Sequence, residues 1–169
     1  MTQSRAEAAP LSGLAPVIGP RSRLLVLGSF PGEASLKAGR YYAHPRNQFW
    51  PILAQVLGQP LLDWPFERRY QAVIAAGLGI WDVYAGCRRE GSLDSSIRDA
   101  AANDFAALLE RAPTLRAVLF NGRTAGRYER WFAERGLATC VLPSTSPAHA
   151  GTSAADKLAR WSAAIGALR

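Results

Sequence analysis

The 169-residue chain is poor in the residues that build disulfide frameworks and metal clusters. It contains two cysteines, Cys87 and Cys140, and two histidines. Two cysteines cannot form a disulfide framework, and alone they cannot hold a four-cysteine iron–sulfur cluster or a structural zinc site. We therefore expect a reduced, cytoplasmic protein.

Long apolar runs and acidic residues are also scarce. No apolar run approaches the length of a membrane span, and the first residues lack the apolar stretch of a secretory signal, so we expect no membrane association. Asp and Glu number 13 against 20 Lys and Arg, which gives a net charge of +7. That surplus suits a polyanionic partner such as nucleic acid, but an arginine-rich proteome would produce the same surplus. Charge alone leaves both interpretations open.

The hydrophobic content of the chain is high enough for one globular domain with a sizeable core. It amounts to 49% of residues, with 20% charged, proportions typical of a folded domain of this length. Residues 1–12 show no hydrophobic period and are predicted to form a flexible tail, followed by a single domain over residues 13–169. Residues 13–18 are predicted to pack against the core as an extended segment.

Short apolar runs alternate with segments of helical periodicity along the domain. Strands are predicted over residues 24–27, 79–84, 116–120 and 138–142, and helices over residues 50–57, 68–76, 99–111, 124–135 and 153–168. Residues 86–96 are polar and punctuated by glycine, which predicts a loop. This alternation predicts an α/β fold, a three-layer sandwich with a central four-stranded, mostly parallel sheet flanked by helices.

The segment 24–50 is the richest in possible functional groups. A buried strand is followed at once by Gly28-Ser29-Phe30-Pro31-Gly32, a sharp turn that lets the backbone approach a ligand. A cluster of aromatic and polar residues, YYAHPRNQFW over 41–50, comes next. Loops at the carboxyl ends of parallel strands are where open α/β sheets place their sites. We therefore expect this segment to form the wall of an active site, with Tyr41, Phe49 and Trp50 in the core and His44 orienting the loop.

Two further segments should reach the same edge of the sheet. The loop 142–151 carries two prolines and several small hydroxyl residues that can donate hydrogen bonds to a sugar–phosphate chain, although a plain turn with a helix cap is the alternative. Asp82 places a carboxylate at the end of an otherwise apolar strand, where an unpaired charge is costly. It either caps a structural feature or accepts a proton from a ligand.

Three segments together resemble the uracil-DNA glycosylase superfamily, and most of all its hypoxanthine-DNA glycosylase branch. They are GSFPGEASL with YYAHPRNQFW, then GIWDV, then LPSTSPAHAG, and the resemblance runs from about Leu14 onward. It implies a four-stranded, mostly parallel sheet between helices. It also implies an enzyme that flips a damaged base out of DNA and hydrolyses its N-glycosidic bond, without a metal or other cofactor, and a monomer suffices for this chemistry.

The chain departs from the superfamily pattern at two positions. Phe30 occupies the slot where uracil- and mismatch-specific members carry an Asp or Asn, and it cannot position a water molecule. The hypoxanthine branch implies Asn47 as the catalytic residue instead. Leu142 stands where many relatives carry a histidine that stabilises a uracil anion, which counsels against efficient uracil excision.

The resemblance also suggests which residues contact the base. Tyr42 lies at the family position for the aromatic that stacks on the flipped ring. The backbone N–H groups around Ser29 and Phe30 would stabilise charge on the leaving base. Asp82 would accept a hydrogen bond from N1–H of hypoxanthine, a donor that adenine lacks.

Contacts to the DNA backbone are expected from Ser144, Thr145, Ser146, His149 and Arg46. Arg88 and Arg89 are predicted to be phosphate contacts or solvated surface. Three hypotheses remain open: a monofunctional glycosylase that excises hypoxanthine, a uracil or mismatch-specific glycosylase, and a DNA-binding relative that has lost catalysis.

Overall fold

The computed structural model describes residues 7–168. The first half of the predicted tail therefore lies outside the described residues. The strands are β1 (Pro10–Ser12), β2 (Leu24–Gly28), β3 (Leu78–Asp82), β4 (Tyr84–Arg88), β5 (Arg98–Ala102), β6 (Ala117–Asn121) and β7 (Ala138–Leu142). The helices are α1 (Glu33–Ala38), α2 (Phe49–Leu57), α3 (Phe66–Ala75), α4 (Phe105–Arg111), α5 (Arg123–Gly126), α6 (Glu129–Ala133) and α7 (Ala154–Leu168). Two short 3-10 turns cover Leu61–Asp63 and Asp94–Ser96.

A four-stranded parallel sheet with the order β3-β2-β6-β7 forms the centre of the domain. Strands β2, β3 and β6 are buried along their whole length, because apolar side chains cover both of their faces. The four strands run in the same direction, so their carboxyl ends meet at one edge. Gly28 pairs with Asp82 there, and Asn121 pairs with Leu142. The predicted α/β fold with a flanked parallel sheet is confirmed.

Aromatic side chains join the helices to one another and to the sheet. Trp50 of α2 packs edge-on against Phe66 of α3, and Phe49 of α2 packs edge-on against Trp161 of α7. Tyr41, Phe49 and Trp50 are each at most 3% exposed. The prediction that these three residues fill the core is therefore confirmed.

A second, antiparallel sheet with the order β1-β4-β5 was not predicted. The predicted strand 79–84 ends at Asp82, and the chain continues as β4, so part of the predicted loop 86–96 is a strand. The predicted helix 99–111 is also wrong over its first turns, because residues 98–102 form β5 and the helix begins at Phe105. The segment RDAAA has helical propensity, and its long-range pairing with β4 overrides that propensity.

The N-terminal segment also forms a strand that local sequence did not predict. Pro10–Ser12, within the predicted tail, pairs with β4 as strand β1, so the tail does not extend to residue 12. The prediction for residues 13–18 is confirmed, since Val17 and Ile80 exchange two backbone hydrogen bonds of 2.8 Å.

Two further differences from the prediction concern helices. Helix α1 was not predicted, and the predicted helix 124–135 is broken at Arg127–Tyr128 into α5 and α6. The six residues of α1 are too few to establish a hydrophobic period, so no sequence signal was available for it.

Candidate active site

A cavity of about 690 Å³ opens at the edge where the carboxyl ends of the parallel strands meet. Its walls come from the turn after β2, the end of β3, the turn after β6 and the loop 142–151 after β7. A fifth wall is the segment 92–94, which lies between β4 and β5. The position agrees with the prediction that the segments around 28–32, 82 and 142–151 meet at one place.

The Asp82 carboxyl group lines this cavity although it is only 4% exposed. Its Oδ2 atom has no hydrogen-bond partner among the described residues. Burial, and then the nearby Asp94 carboxylate, raise the pKa of Asp82 to about 7, while the Arg89 guanidinium opposes the shift. A buried carboxyl without a partner is costly unless a ligand supplies one.

Gly28 creates the space that Asp82 occupies. A Cβ atom at this position would lie 2.5 Å from Asp82 Oδ1 and 3.1 Å from the Tyr42 hydroxyl oxygen. Any larger residue at position 28 would therefore displace the carboxyl group or the tyrosine. The glycine in the GSFPG turn is needed for this close approach rather than for an unusual backbone angle.

Tyr42 forms an aromatic wall of the cavity in a strained backbone conformation, with φ of 53°. Its ring stacks on Phe49 with centroids 4.1 Å apart and planes 25° apart. Burial, and then the Asp82 carboxylate, raise the pKa of the Tyr42 hydroxyl, so it stays protonated at neutral pH. A non-glycine residue at positive φ persists only where its surroundings hold it, and such residues are frequent at functional sites.

Asn47 lies on the cavity wall and is half-buried. Its Oδ1 atom accepts a hydrogen bond of 2.9 Å from the Phe49 backbone N–H at the start of α2. An amide oxygen has two lone pairs, so this contact fixes the side chain and leaves one acceptor site open. His44 holds the same loop, because its Nδ1 accepts from the Arg46 N–H at 3.0 Å.

Ser29 and Phe30 line the cavity directly after β2 and are both buried. The Ser29 hydroxyl donates a hydrogen bond of 2.7 Å to Asp94 Oδ1 and so ties this turn to the segment between β4 and β5. The Arg89 guanidinium lies 5.3 Å from the Phe30 ring centroid and donates to the Pro31 carbonyl. Arg89 is 5% exposed, so the prediction that it contacts phosphate or solvent is wrong. Its hydrogen bond to the Pro31 carbonyl holds the turn that follows β2.

The loop 142–151 is arranged by its own hydroxyl groups. Ser144 Oγ accepts from the Ser146 N–H and Ser146 Oγ accepts from the Ala148 N–H, each at 3.2 Å. A hydroxyl that accepts from the backbone keeps its own hydrogen available for donation. Ser144, Ser146 and the exposed His149 all line the cavity.

Two of the predicted DNA contacts are placed differently: Thr145 belongs to the cavity wall but is fully buried, and Arg46 lies outside the wall. The Thr145 side chain has no exposed surface, and its hydroxyl and N–H both bond to Asn121 at 2.9 Å, so its side chain anchors the loop. Arg46 is exposed but is not among the residues that line the cavity.

Sequence reasoning missed several residues that shape or line the site. Asn121 ends β6 at the cavity edge, and a polar residue that closes a buried strand was an available signal. Lys157, 2% exposed, donates to the His149 carbonyl at 2.7 Å and reaches the Ser146 carbonyl at 3.5 Å. The exposed Arg123 and Arg160 line the cavity too. No local pattern distinguishes the two arginines or Lys157 from surface charges.

Among residues 7–168, no group of three or more His, Cys, Asp or Glu side chains is placed to hold a metal ion. Within the same range, no helix is both long enough and apolar enough to cross a membrane.

Comparison with known proteins agrees with the geometry of this site. The sequence model of the Uracil DNA glycosylase superfamily matches residues 15–168. Proteins named hypoxanthine DNA glycosylase from Methanosarcina barkeri and Methanosarcina acetivorans are each 39% identical over 137 residues, which is 81% of this chain and 87% of theirs. The solution NMR structure of a Methanosarcina acetivorans protein, named as a candidate uracil DNA glycosylase, superposes with a TM-score of 0.85. It shares 36% identity over 95% of this chain and 99% of that one.

Proposed function

This chain belongs to the uracil DNA glycosylase superfamily, and we propose that it excises deaminated bases from DNA, hypoxanthine first. The reaction is hydrolysis of the N-glycosidic bond. A water oxygen bonds to C1′ of the deoxyribose, and the bond from C1′ to the base breaks with its electron pair going to the base. The attacking water gives up one proton to solvent, the departing base takes up one proton, and an abasic site remains.

The buried Asp82 carboxyl is proposed to select hypoxanthine over adenine. It borders the cavity, its Oδ2 lacks a partner among the described residues, and its pKa is raised to about 7. Hypoxanthine offers N1–H as a donor at the edge where adenine offers an acceptor. An ionised Asp82 therefore gains a partner from hypoxanthine, whereas adenine would leave the buried charge unpaired.

Asn47 is the group proposed to orient the water. The sugar develops oxocarbenium character as the base departs, and the water must stand on its far face. The contact with the Phe49 N–H fixes the Asn47 amide and leaves an acceptor site for one water hydrogen. An amide is a weak base, which suffices when the base leaves early in the reaction.

Charge on the departing base needs donors and a firm binding surface. We assign the donors to the backbone N–H groups around Ser29 and Phe30, at the wall that follows β2. Tyr42 would stack on the flipped ring with the part of its surface that Phe49 leaves free.

The DNA backbone would bind across the mouth of the cavity. Ser144 and Ser146 keep hydroxyl hydrogens for phosphate oxygens, and His149 lies beside them. Arg123 is an exposed cation at the cavity itself, and the exposed Arg46 lies in the segment whose Gln48 N–H donates to the Thr145 carbonyl of this loop. They would add sequence-independent affinity.

The experiment that tests the function is single-turnover excision on matched duplexes. Each duplex carries one deoxyinosine, one deoxyuridine or one normal base, and alkali reveals the abasic sites. Fastest cleavage at deoxyinosine is expected. Fastest cleavage at deoxyuridine would replace hypoxanthine by uracil as the substrate, and tight binding without any cleavage would point to an inactive DNA-binding relative.

Substitution of Asn47 tests the proposed catalytic residue. We expect Asn47→Ala to slow single-turnover excision of hypoxanthine by at least about 100-fold, since orienting groups contribute roughly this much. Asn47→Asp, which keeps the oxygen acceptor and the contact with the Phe49 N–H, should retain much more activity. The neighbouring Gln48→Ala is the control, because Gln48 does not line the cavity. Unchanged cleavage by Asn47→Ala would remove Asn47 from the mechanism.

A further inference from the structure

The buried side chains of residues 7–168 include three that carry a charge, namely Asp82, Arg89 and Lys157. Asp82 lines the cavity, and Lys157 holds the loop 142–151 through two of its carbonyl oxygens. Arg89 has no role yet in the proposed reaction. Burial of a guanidinium is costly, so its charge calls for a negative charge that it stabilises.

The Arg89 side chain lies behind the turn that follows β2. Its Nη2 atom donates a hydrogen bond of 2.5 Å to the Pro31 carbonyl, and its Nε atom donates one of 2.9 Å to the Gly91 carbonyl. The guanidinium carbon lies 5.3 Å from the centroid of the Phe30 ring. Phe30 and Pro31 line the cavity and Arg89 does not. The turn itself therefore separates the cation from the cavity.

No ion pair neutralises the positive charge of Arg89 among the described residues. No carboxylate forms a salt bridge with it there, and its buried Nη1 atom has no hydrogen-bond partner. The basic residues that do line the cavity, Arg123, Arg160 and His149, are all exposed. Water and salt screen an exposed charge far more than a buried one, so Arg89 acts more strongly on the interior of the cavity.

The negative charge closest to this role is that of Asp82. Burial, and then the Asp94 carboxylate, raise the pKa of Asp82 to about 7, and Arg89 acts in the opposite direction. The hydroxyl groups of Tyr41 and Tyr42 also interact with Asp82, but burial raises the pKa of both, so they stay neutral. Arg89 is therefore the charged group that favours an ionised Asp82.

We propose that Arg89 is a positioning residue for base excision, whose buried positive charge offsets the negative charge of the Asp82 carboxylate and of the departing base. This role rests on the proposed function, because only cleavage of the glycosidic bond places negative charge on the base. The electron pair of the bond from C1′ goes to the base, beside the wall that Ser29 and Phe30 form in front of Arg89. Arg89 itself does not touch the reacting atoms.

Two substitutions separate the charge of Arg89 from its hydrogen bonds. Arg89→Gln can still donate to a backbone carbonyl but has no charge, whereas Arg89→Lys keeps the charge and loses the planar fork. At saturating enzyme and about pH 9, where Asp82 is ionised, we expect Arg89→Gln to slow single-turnover excision of hypoxanthine by about tenfold or more. Arg89→Lys should lose much less. Arg88→Gln is the matched control, since the adjacent Arg88 pairs with Asp99 and does not line the cavity.

The pH profile of excision is a second readout, which a purely structural role would not move. Removal of a nearby positive charge raises the pKa of a carboxyl group. The pH at which the rate responds to ionisation of Asp82 should therefore increase by about half a pH unit or more in Arg89→Gln. It should stay near the wild-type value in Arg89→Lys and Arg88→Gln. Equal rate losses in both Arg89 variants with an unmoved profile would overturn the proposal, because hydrogen bonding alone would then explain them.

Titration of Asp82 in the absence of DNA distinguishes this role from the proposed function. NMR spectroscopy of isotope-labelled carboxyl carbons measures the pKa of Asp82, and the spectrum of Asp82→Asn identifies its signal. A pKa raised in Arg89→Gln but not in Arg88→Gln, in a protein that cleaves no tested base, would support the action of Arg89 on Asp82 and refute the proposed function. Excision of hypoxanthine at the wild-type rate by both Arg89 variants, with an unchanged titration, would refute the role of Arg89 alone.

Discussion

At the scale of single residues, the base contact proposed for Asp82 should make base recognition depend on pH. Burial and Asp94 raise the pKa of this carboxyl to about 7, so it is largely protonated below that pH and ionised above it. The ionised form is the acceptor required by N1–H of hypoxanthine. The same burial on which the proposed selectivity rests also brings the titration of the carboxyl into the physiological range.

We therefore expect single-turnover excision of hypoxanthine at subsaturating enzyme to rise as the pH passes through about 7, then to level off. Asp82→Asn should lower the rate at pH 8 and flatten this part of the profile. Profiles for both proteins between about pH 5 and pH 9 check the prediction. A rate that falls through pH 7 would contradict it, and would indicate that the protonated acid donates to the base carbonyl instead.

At the scale of elements, the loop 142–151 depends on a helix for its shape. Lys157, in the first turn of α7, places its ammonium group against the carbonyl oxygens of His149 and Ser146. Asn121, at the end of β6, fixes the other part of the loop through Thr145. The hydroxyl groups proposed to bind phosphate are therefore held between a strand end and a helix start, on more rigid supports than a free loop provides.

Lys157→Met removes the ammonium group and keeps an apolar stem of similar length. We expect DNA affinity to weaken by about tenfold, because a hydrogen bond to a charged group contributes roughly 1.5–3 kcal/mol, while excision at saturating enzyme changes little. Binding titrations and single-turnover rates separate the two effects. Lys37→Met is the matched control, since it removes the same charge from an exposed helix position. If DNA affinity weakened equally in both variants, Lys157 would contribute only through the net charge of the protein and not by supporting the loop.

At the scale of the whole molecule, the site is costly for stability. Asp82 has an ordinary pKa near 3.8 in an unfolded chain and about 7 in the folded protein. Between these values the folded state binds more protons than the unfolded state, so the contribution of Asp82 to the free energy of unfolding falls as the pH rises from 4 to 7. Such a loss of stability is typical of functional sites, where a buried charge has no partner until a ligand binds.

The corresponding prediction concerns stability rather than activity. Asp82→Asn should unfold at about the same urea concentration as the wild type at about pH 3, where the carboxyl is mostly protonated in both the folded and the unfolded state. At pH 8 the variant should be more stable, by on the order of a few kcal/mol. Urea unfolding at both pH values measures the difference, and a constant difference would show that the carboxyl does not titrate as described.

Much of the fold follows from local sequence. The apolar runs of β2, β3, β6 and β7 and their alternation with periodic helices predict the parallel sheet, because strands buried on both faces must be continuously apolar. The same reasoning places the glycine-rich turn, Asp82 and the loop 142–151 at one edge. The expectation that these segments form a glycosylase site rests on the resemblance of three motifs, spread over much of the chain, to the uracil-DNA glycosylase superfamily.

Other features depend on contacts between distant residues, which no local pattern records. Strand β5 has a helical composition and becomes a strand only because β4 pairs with it. The segment 92–94 belongs to a predicted loop, and only the bonds from Ser29 to Asp94 and from Glu33 to Ser92 bring it to the cavity. Sequence by itself determined the sheet and the edge where the site lies, since both follow from hydrophobic burial. Only the tertiary structure decided which polar groups support the site and which side chains line the cavity, since those depend on pairings across dozens of residues.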